Sequence, residues 1–239
     1  MPDSASPPDF VPTARTRVRR RHDRGRYDRE TVYAILDAAL LCHVGYVIDG
    51  LPYVTPTLFW REGERLYWHG SSASRMLRKQ SAGIAVCVTV THVDGLVVAR
   101  SGFHHSLNYR AVMAFGTAAI VADDAIKTAG LNAFVERLYP GRNKQIRPIL
   151  PQELKATTLM SMVIEEVSAK VRTGGPIDDE GDYALDCWAG VIPLEARVGA
   201  AIPDERLKPG VPLLDGLRQW VEGGVLPEIL GGLARNGDE

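Results

Sequence analysis

Two Asp-Gly dipeptides, Asp49-Gly50 and Asp94-Gly95, each stand between runs in which apolar residues alternate with others. An Asp-Gly link favours backbone at positive φ and joins antiparallel strands. Each link commits two strands at once, so these dipeptides limit the fold more than any other feature. They predict one hairpin from residues 42–48 and 52–60, and a second from residues 84–93 and 96–100. Pro56 removes a ladder donor inside the first hairpin, which predicts a bulge or an edge there. Residues 65–69 read as a third strand, and 110–122 as a long strand with a bulge or bend at Gly116. Residues 158–172 read as one strand and 188–194 as a last extended piece.

Helices enter singly between these strands. Asp28 is a good N-cap, and Val32, Ile35, Leu36, Ala39 and Leu40 follow at helical spacing. Asp123 caps a second helix over 125–138, stopped by Pro140-Gly141. Short helices are predicted over 151–156 and 213–221. The pattern predicts a mainly β, α+β chain: about six or seven antiparallel strands forming a barrel with peripheral helices, not a doubly wound parallel sheet. Residues 1–14 read as a Pro/Ser-rich disordered tail, 15–194 as the barrel, and 195–239 as a helical extension packing on it.

A net charge of −1 gives no general pull toward nucleic acid or an anionic membrane. No apolar run approaches the roughly 20 residues of a membrane helix. Nor does the N-terminus read as a secretory signal. Cys42, Cys87 and Cys187 are far apart and show no metal spacing, so a cytoplasmic protein with reduced thiols is expected. Residues 15–26 carry seven arginines; alone they suit an arm for nucleic acid or phosphate, and a solvated extended arm on the body or on a partner subunit is the plainer reading, since no aromatic interleaving accompanies them.

The stretch 66–80, LYWHGSSASRMLRKQ, carries the strongest chemical signal. It reads as a strand end, a small polar turn and a helix start. Free amides at a helix N-terminus, the Ser74 hydroxyl and the Arg75 fork suit a phosphate. Capping serines and solvated bases are the plainer alternative. His69, His104 and His105 are the titratable candidates in the same polar and aromatic surroundings. Adjacent strand residues point to opposite faces, so at most one of His104 and His105 would face a given pocket. Trp68 suits either a cofactor wall or the barrel core.

The order YVTPTLFW, LYWHGSSASRM and SLNYRAVMAFG, with RGRYDRETVYAILD before it and SAKVRTGGP and WAGVIPL after it, resembles the pyridoxamine 5′-phosphate oxidase-like family of FMN-binding split barrels. Within it, the chain is most similar to the flavin-nucleotide-binding branch that also holds nitroimidazole-resistance proteins. The resemblance implies a homodimer with FMN in clefts at the subunit interface. It implies that Ser74 and Arg75 hold the FMN phosphate, with Lys79 or Arg78 nearby. It places Trp68, His69 and Gly70 along the flavin and ribityl chain, and Thr55, Pro56, Thr57 and Leu58 at the isoalloxazine ring. Asn108, Tyr109 and Arg110 match a segment near the flavin, and Trp188 with Gly190 matches the late W-x-G element.

Met76, Thr55 and Trp60 stand where the oxidase pattern has or neighbours basic residues, and Arg197 is the nearest counterpart of its substrate-phosphate arginine. The implied activity is therefore FMN-dependent oxidoreduction of a small molecule, with His69, His105 and Tyr109 as catalytic candidates, rather than pyridoxamine phosphate oxidation. The alternatives are a flavin-binding module without turnover, or a relative using haem or deazaflavin, with His69 or His105 as the haem ligand. No metal site and no nucleic-acid or membrane partner is expected.

Overall fold

The computed structural model describes residues 9–71 and 83–237. Asp49 and Gly50 both take positive φ (53° and 78°), and this turn joins β2 (Leu41–Ile48) to β3 (Leu51–Glu62) as predicted. β3 then turns back into β4 (Arg65–Ser71). After β5 (Ile84–Val98) and β6 (Ser106–Ile120) come β7 (Thr157–Val163), β8 (Glu166–Arg172) and β9 (Gly190–Pro193). A two-residue β1 (Gly25–Arg26) pairs with β8.

Following the pairings from β5 through β2, β3, β4, β7 and β6 returns to β5, so six strands close a ring. β8 and β1 extend from one side of β6, and β9 lies along the end of β5. Nine strands in all thus make an antiparallel split barrel; three of them lie outside the closed ring, beyond the six or seven expected.

Asp94-Gly95 is not a turn. β5 runs straight through it, and the register shifts at this point. Asp94 accepts two hydrogen bonds from Arg110 on β6 (2.8 and 3.0 Å), which ties it across the ladder. A Cβ on Gly95 would sit 3.0 Å from the Ile192 carbonyl, so glycine here admits β9 rather than reversing the chain. The reversal falls later, between β5 and β6. The predicted strand over 158–172 is two strands. Ile164 and Glu165 leave the ladder to donate to the Glu64 and Phe115 carbonyls, and this corner sends β7 to β4 and β8 to β6.

Four helices are described. α1 (Arg29–Asp37) is capped by the Asp28 carboxylate, which accepts from the Thr31 N–H at 2.8 Å. It seals the barrel core with Val32, Ile35 and Leu36, which join Leu66, Trp68, Val88, Met160 and Met162. α2 (Asp124–Leu138) starts on Asp123, which accepts from the Ala125 and Ile126 N–H groups. α3 (Pro151–Ala156) is one short turn. The predicted helix over 213–221 forms only a three-residue helical turn; a segment this short gains too few internal bonds alone, and Trp220 anchors it by donating to the Leu138 carbonyl at 2.8 Å. The helix of the extension is α4 (Leu226–Gly237), further on, with Leu230, Leu233 and Ala234 buried.

From Phe10 onward the N-terminal segment lies on the body. The Phe10 ring meets Tyr33 edge to face at 6.1 Å, and its N–H donates to the Tyr27 carbonyl. Arg15 lies over the Phe115 ring at 4.4 Å and pairs with Glu166.

Candidate functional site

β3 changes partner along its length. Residues 51–58 pair with β2 alone, and β4 joins from Phe59. Among the described residues no strand covers the other side of 51–58. The Phe59 N–H bonds toward β2, to the Leu40 carbonyl, so even-numbered residues turn their backbone groups to the open side. Pro52 and Pro56 share that parity and lose no ladder bond, which is the edge placement predicted for Pro56. Val54 and Leu58 keep their N–H groups as donors along this edge.

The four β3 residues assigned to the isoalloxazine ring do not share a face. Pro56 and Leu58 point outward. Thr55 and Thr57 turn to the barrel side, where the Thr55 hydroxyl meets the Tyr46 hydroxyl at 3.0 Å. The outward face continues across four strands. By register it carries Leu41 and Val47, Val54 and Leu58, Val93 and Leu96, and Leu107 and Met113. These eight side chains are 40–66 % exposed, with His43, Thr89, Thr91 and Tyr109 between them on the same face.

The end of β4 lies beside that face. Trp68 is 1 % exposed and belongs to the barrel core. His69 points the other way, onto the barrel exterior beneath α2. Its ring lies 5.1 Å from that of Phe134 and 6.3 Å from that of Trp60, which also stacks on Tyr67 at 5.4 Å. Trp60 shares the outward parity of Leu58 and stands opposite Tyr67, next to His69 on the same face. The His69 Nδ1 is buried and has no hydrogen-bond partner among the described residues. Burial pushes its pKa below the ordinary histidine value, which leaves a neutral imidazole with a free lone pair. Gly70 and Ser71 finish the strand opposite Thr158 and Thr157. Ser74, Arg75, Met76, Arg78 and Lys79, which carried the phosphate assignment, lie outside the described residues.

The remaining candidates gather at the start of β6. His104 Nε2 lies 3.4 Å from Asp179, and His105 is exposed with Nδ1 2.8 Å from the Ser101 carbonyl. Tyr109 is half-buried opposite Val93 and Arg172. Asn108 is buried and donates to the Gly174 carbonyl at 3.1 Å. Arg110 is held by Asp94. Trp188 is 64 % exposed, and its ring packs over Gly190, where a Cβ would come within 3.0 Å. No hydrogen bond, ion pair or ring contact described for these residues reaches His69.

Two groups escaped the sequence reading. Asp94 reads in the sequence as a turn residue, and only a contact between strands reveals its role. Arg172 lay inside a predicted strand and is buried at its end. A cavity of about 960 Å³ opens between α1, the β5 bulge, β9 and α4. Its wall carries Glu30, Asp37, Asp94, Glu195 and Glu228, with Arg110 and Arg235, so its charge disfavours a phosphate, and His69 is not part of it.

The geometry can be compared with known proteins. A family model described as pyridoxamine 5′-phosphate oxidase matches residues 28–171. The flavocytochrome Anf3 from Azotobacter vinelandii is 47 % identical, with 90 % of this chain and 100 % of that chain covered and a TM-score of 0.84. The FAD and heme binding protein from Mycobacterium smegmatis is 36 % identical over 85 % of this chain and 98 % of that one, with a TM-score of 0.79. A 5-nitroimidazole antibiotic resistance-like protein from Bacteroides thetaiotaomicron shares the fold at 22 % identity, covering 62 % of this chain and 86 % of that one, with a TM-score of 0.50. No curated protein sequence matches. On the extent of the family match and of the two full-length likenesses, the chain belongs to the pyridoxamine 5′-phosphate oxidase family.

Proposed function

We propose that this protein is a homodimeric flavin- and haem-binding oxidoreductase, with the flavin against the β3 edge and the haem iron on His69. The observation that carries this reading is the neutral, unpartnered His69 imidazole beside the apolar outer face. A metal ligand must be an unprotonated nitrogen, and burial supplies one here. The two relatives that match nearly this whole chain are a flavocytochrome and a FAD and heme binding protein, which supports the same pair of cofactors.

The flavin fits the open edge of β3. A flat ring needs an apolar wall with a few donors at its polar rim. Leu58 and Pro56 offer the wall, and the Val54 and Leu58 N–H groups offer donors. The flavin would supply two-electron and one-electron chemistry, and haem one-electron chemistry. The protein's own part is to place both on one side of the barrel and to keep water from the imidazole with Phe134 and Trp60. A second copy docked on the outer face would bury its eight apolar side chains and complete the cleft, as the family resemblance implies.

The test is an absorbance spectrum of the purified protein, loaded with flavin and hemin. A Soret band together with flavin bands is expected. His69→Ala should remove the Soret band and leave the flavin bands, while His105→Ala should leave both. A Soret band unchanged in His69→Ala would overturn the haem assignment, and no flavin uptake would overturn the flavin one. Mass measurement of the heat-released cofactor distinguishes FMN, the expectation from the resemblance, from FAD.

A further inference from the structure

Arg172 closes β8 and is 6 % exposed. Its guanidinium donates to the Asn108 side-chain oxygen and to the Gly174 and Gly175 carbonyls, at 3.2 and 3.0 Å for the two glycines. All three acceptors are neutral. Among the described residues no carboxylate pairs with it. Its Nε is buried and has no partner among the described residues. A buried charge without a counter-charge is costly, and such a group is normally paired.

The neighbours make the imbalance larger. β1 runs antiparallel to β8, with Gly25 opposite Lys170, which sets Arg24 against the end of β8. Arg21 precedes it by one turn, the Arg24 N–H donating to the Arg21 carbonyl. Burial first, and then the positive charges of Arg24 and Arg21, hold the Arg172 pKa below the usual arginine range. The nearest carboxylate on this segment, Asp23, lies 3.6 Å from Arg21 Nε and is exposed. It faces Arg21 and makes no bond to Arg172.

We infer that Arg172, Arg21 and Arg24 form a binding site for a phosphate-type dianion. Two negative charges would offset the crowded guanidinium groups, and the free Nε–H would gain an acceptor. The arginine-rich segment, which the flavin and haem reading leaves without a role, becomes the outer wall of this site. The dianion has two possible sources: the diphosphate of a bound flavin dinucleotide, or a free phosphate compound that binds on its own.

The experiment is calorimetric titration of the full chain with inorganic pyrophosphate, before and after loading with FAD. Wild type is expected to bind pyrophosphate, and the Arg21→Gln/Arg24→Gln double variant to bind it about tenfold or more weakly. Both changes sit outside the strands, and an unchanged melting curve shows that the variant is folded. Arg172→Lys keeps the charge without the fork and should weaken binding as well. Loss of pyrophosphate binding after FAD loading would support the site with the dinucleotide as its source. Retention after loading would support it with a free anion as its source. No pyrophosphate binding by unloaded wild type, or equal binding by the folded double variant, would overturn it. The pyrophosphate arm needs no flavin, so failure of the flavin reading is seen separately.

Discussion

Single residues in this protein are governed by burial more than by their place in a motif. His69 and His105 read alike in the sequence, both set in polar and aromatic stretches. The fold buries one Nδ1 without a partner and leaves the other ring exposed beside a carbonyl. The cysteines separate in the same way. Burial pushes the Cys42 thiol up to about 12, and burial also raises Cys87, while Cys187 is exposed. The thiolate is the reactive form, so at pH 8 a thiol reagent should label Cys187 within minutes, Cys87 more slowly, and Cys42 only after denaturant is added. Mass spectrometry of the labelled peptides gives that order directly. The sign of the linkage is fixed too. A raised folded-state thiol pKa contributes stability below the unfolded value, lost as pH rises toward about 12.

Elements were legible where local chemistry decides them. The Asp49-Gly50 turn, the Asp28 and Asp123 caps and the alternating strands need no distant partner, and the structure has them all. Asp94-Gly95 offered the same local signal, yet Arg110 and β9 compete for it and prevail. The split between β7 and β8 was hidden because both halves are equally good strands; the corner is set by what β6 can accommodate. Gly116 marks that place. β6 pairs with β8 up to Phe115 and with β7 from Ala118, and a Cβ on Gly116 would lie 2.2 Å from the Val163 carbonyl. Gly116→Ala forces backbone apart at the junction and should cost about 2–4 kcal/mol. Equilibrium urea unfolding of the variant against wild type measures the loss.

At the scale of the whole molecule, the sequence predicted the barrel but not how its strands close, because closure depends on pairing of strands far apart in the chain, β2 with β5 and β4 with β7. The candidate site was legible in part. The β3 and β4 residues were found by resemblance, whereas their division between the inner and outer faces follows from register. The outer face is where the dimer proposal is most exposed to test. Val54 stands on its β3 border at 66 % exposure, and Val54→Asp puts a charge there without touching the core. Sedimentation of wild type should report a dimer and that of Val54→Asp a monomer with unchanged circular dichroism, since a desolvated, unpaired charge opposes association by several kcal/mol. A dimeric Val54→Asp would assign the interface to another surface.

The two prolines of β3 carry one more consequence. An uncovered strand edge is an invitation to aggregation, because an incoming segment can extend the sheet one hydrogen bond at a time. On the open side of residues 51–58, Pro52 and Pro56 withhold two of the donors such growth would need. A cofactor ring bound there as proposed would need only one or two bonds, which the Val54 and Leu58 N–H groups could give; a polypeptide seeking a continuous ladder would not find enough. The same edge is thus accessible to a small molecule and resistant to polymerisation.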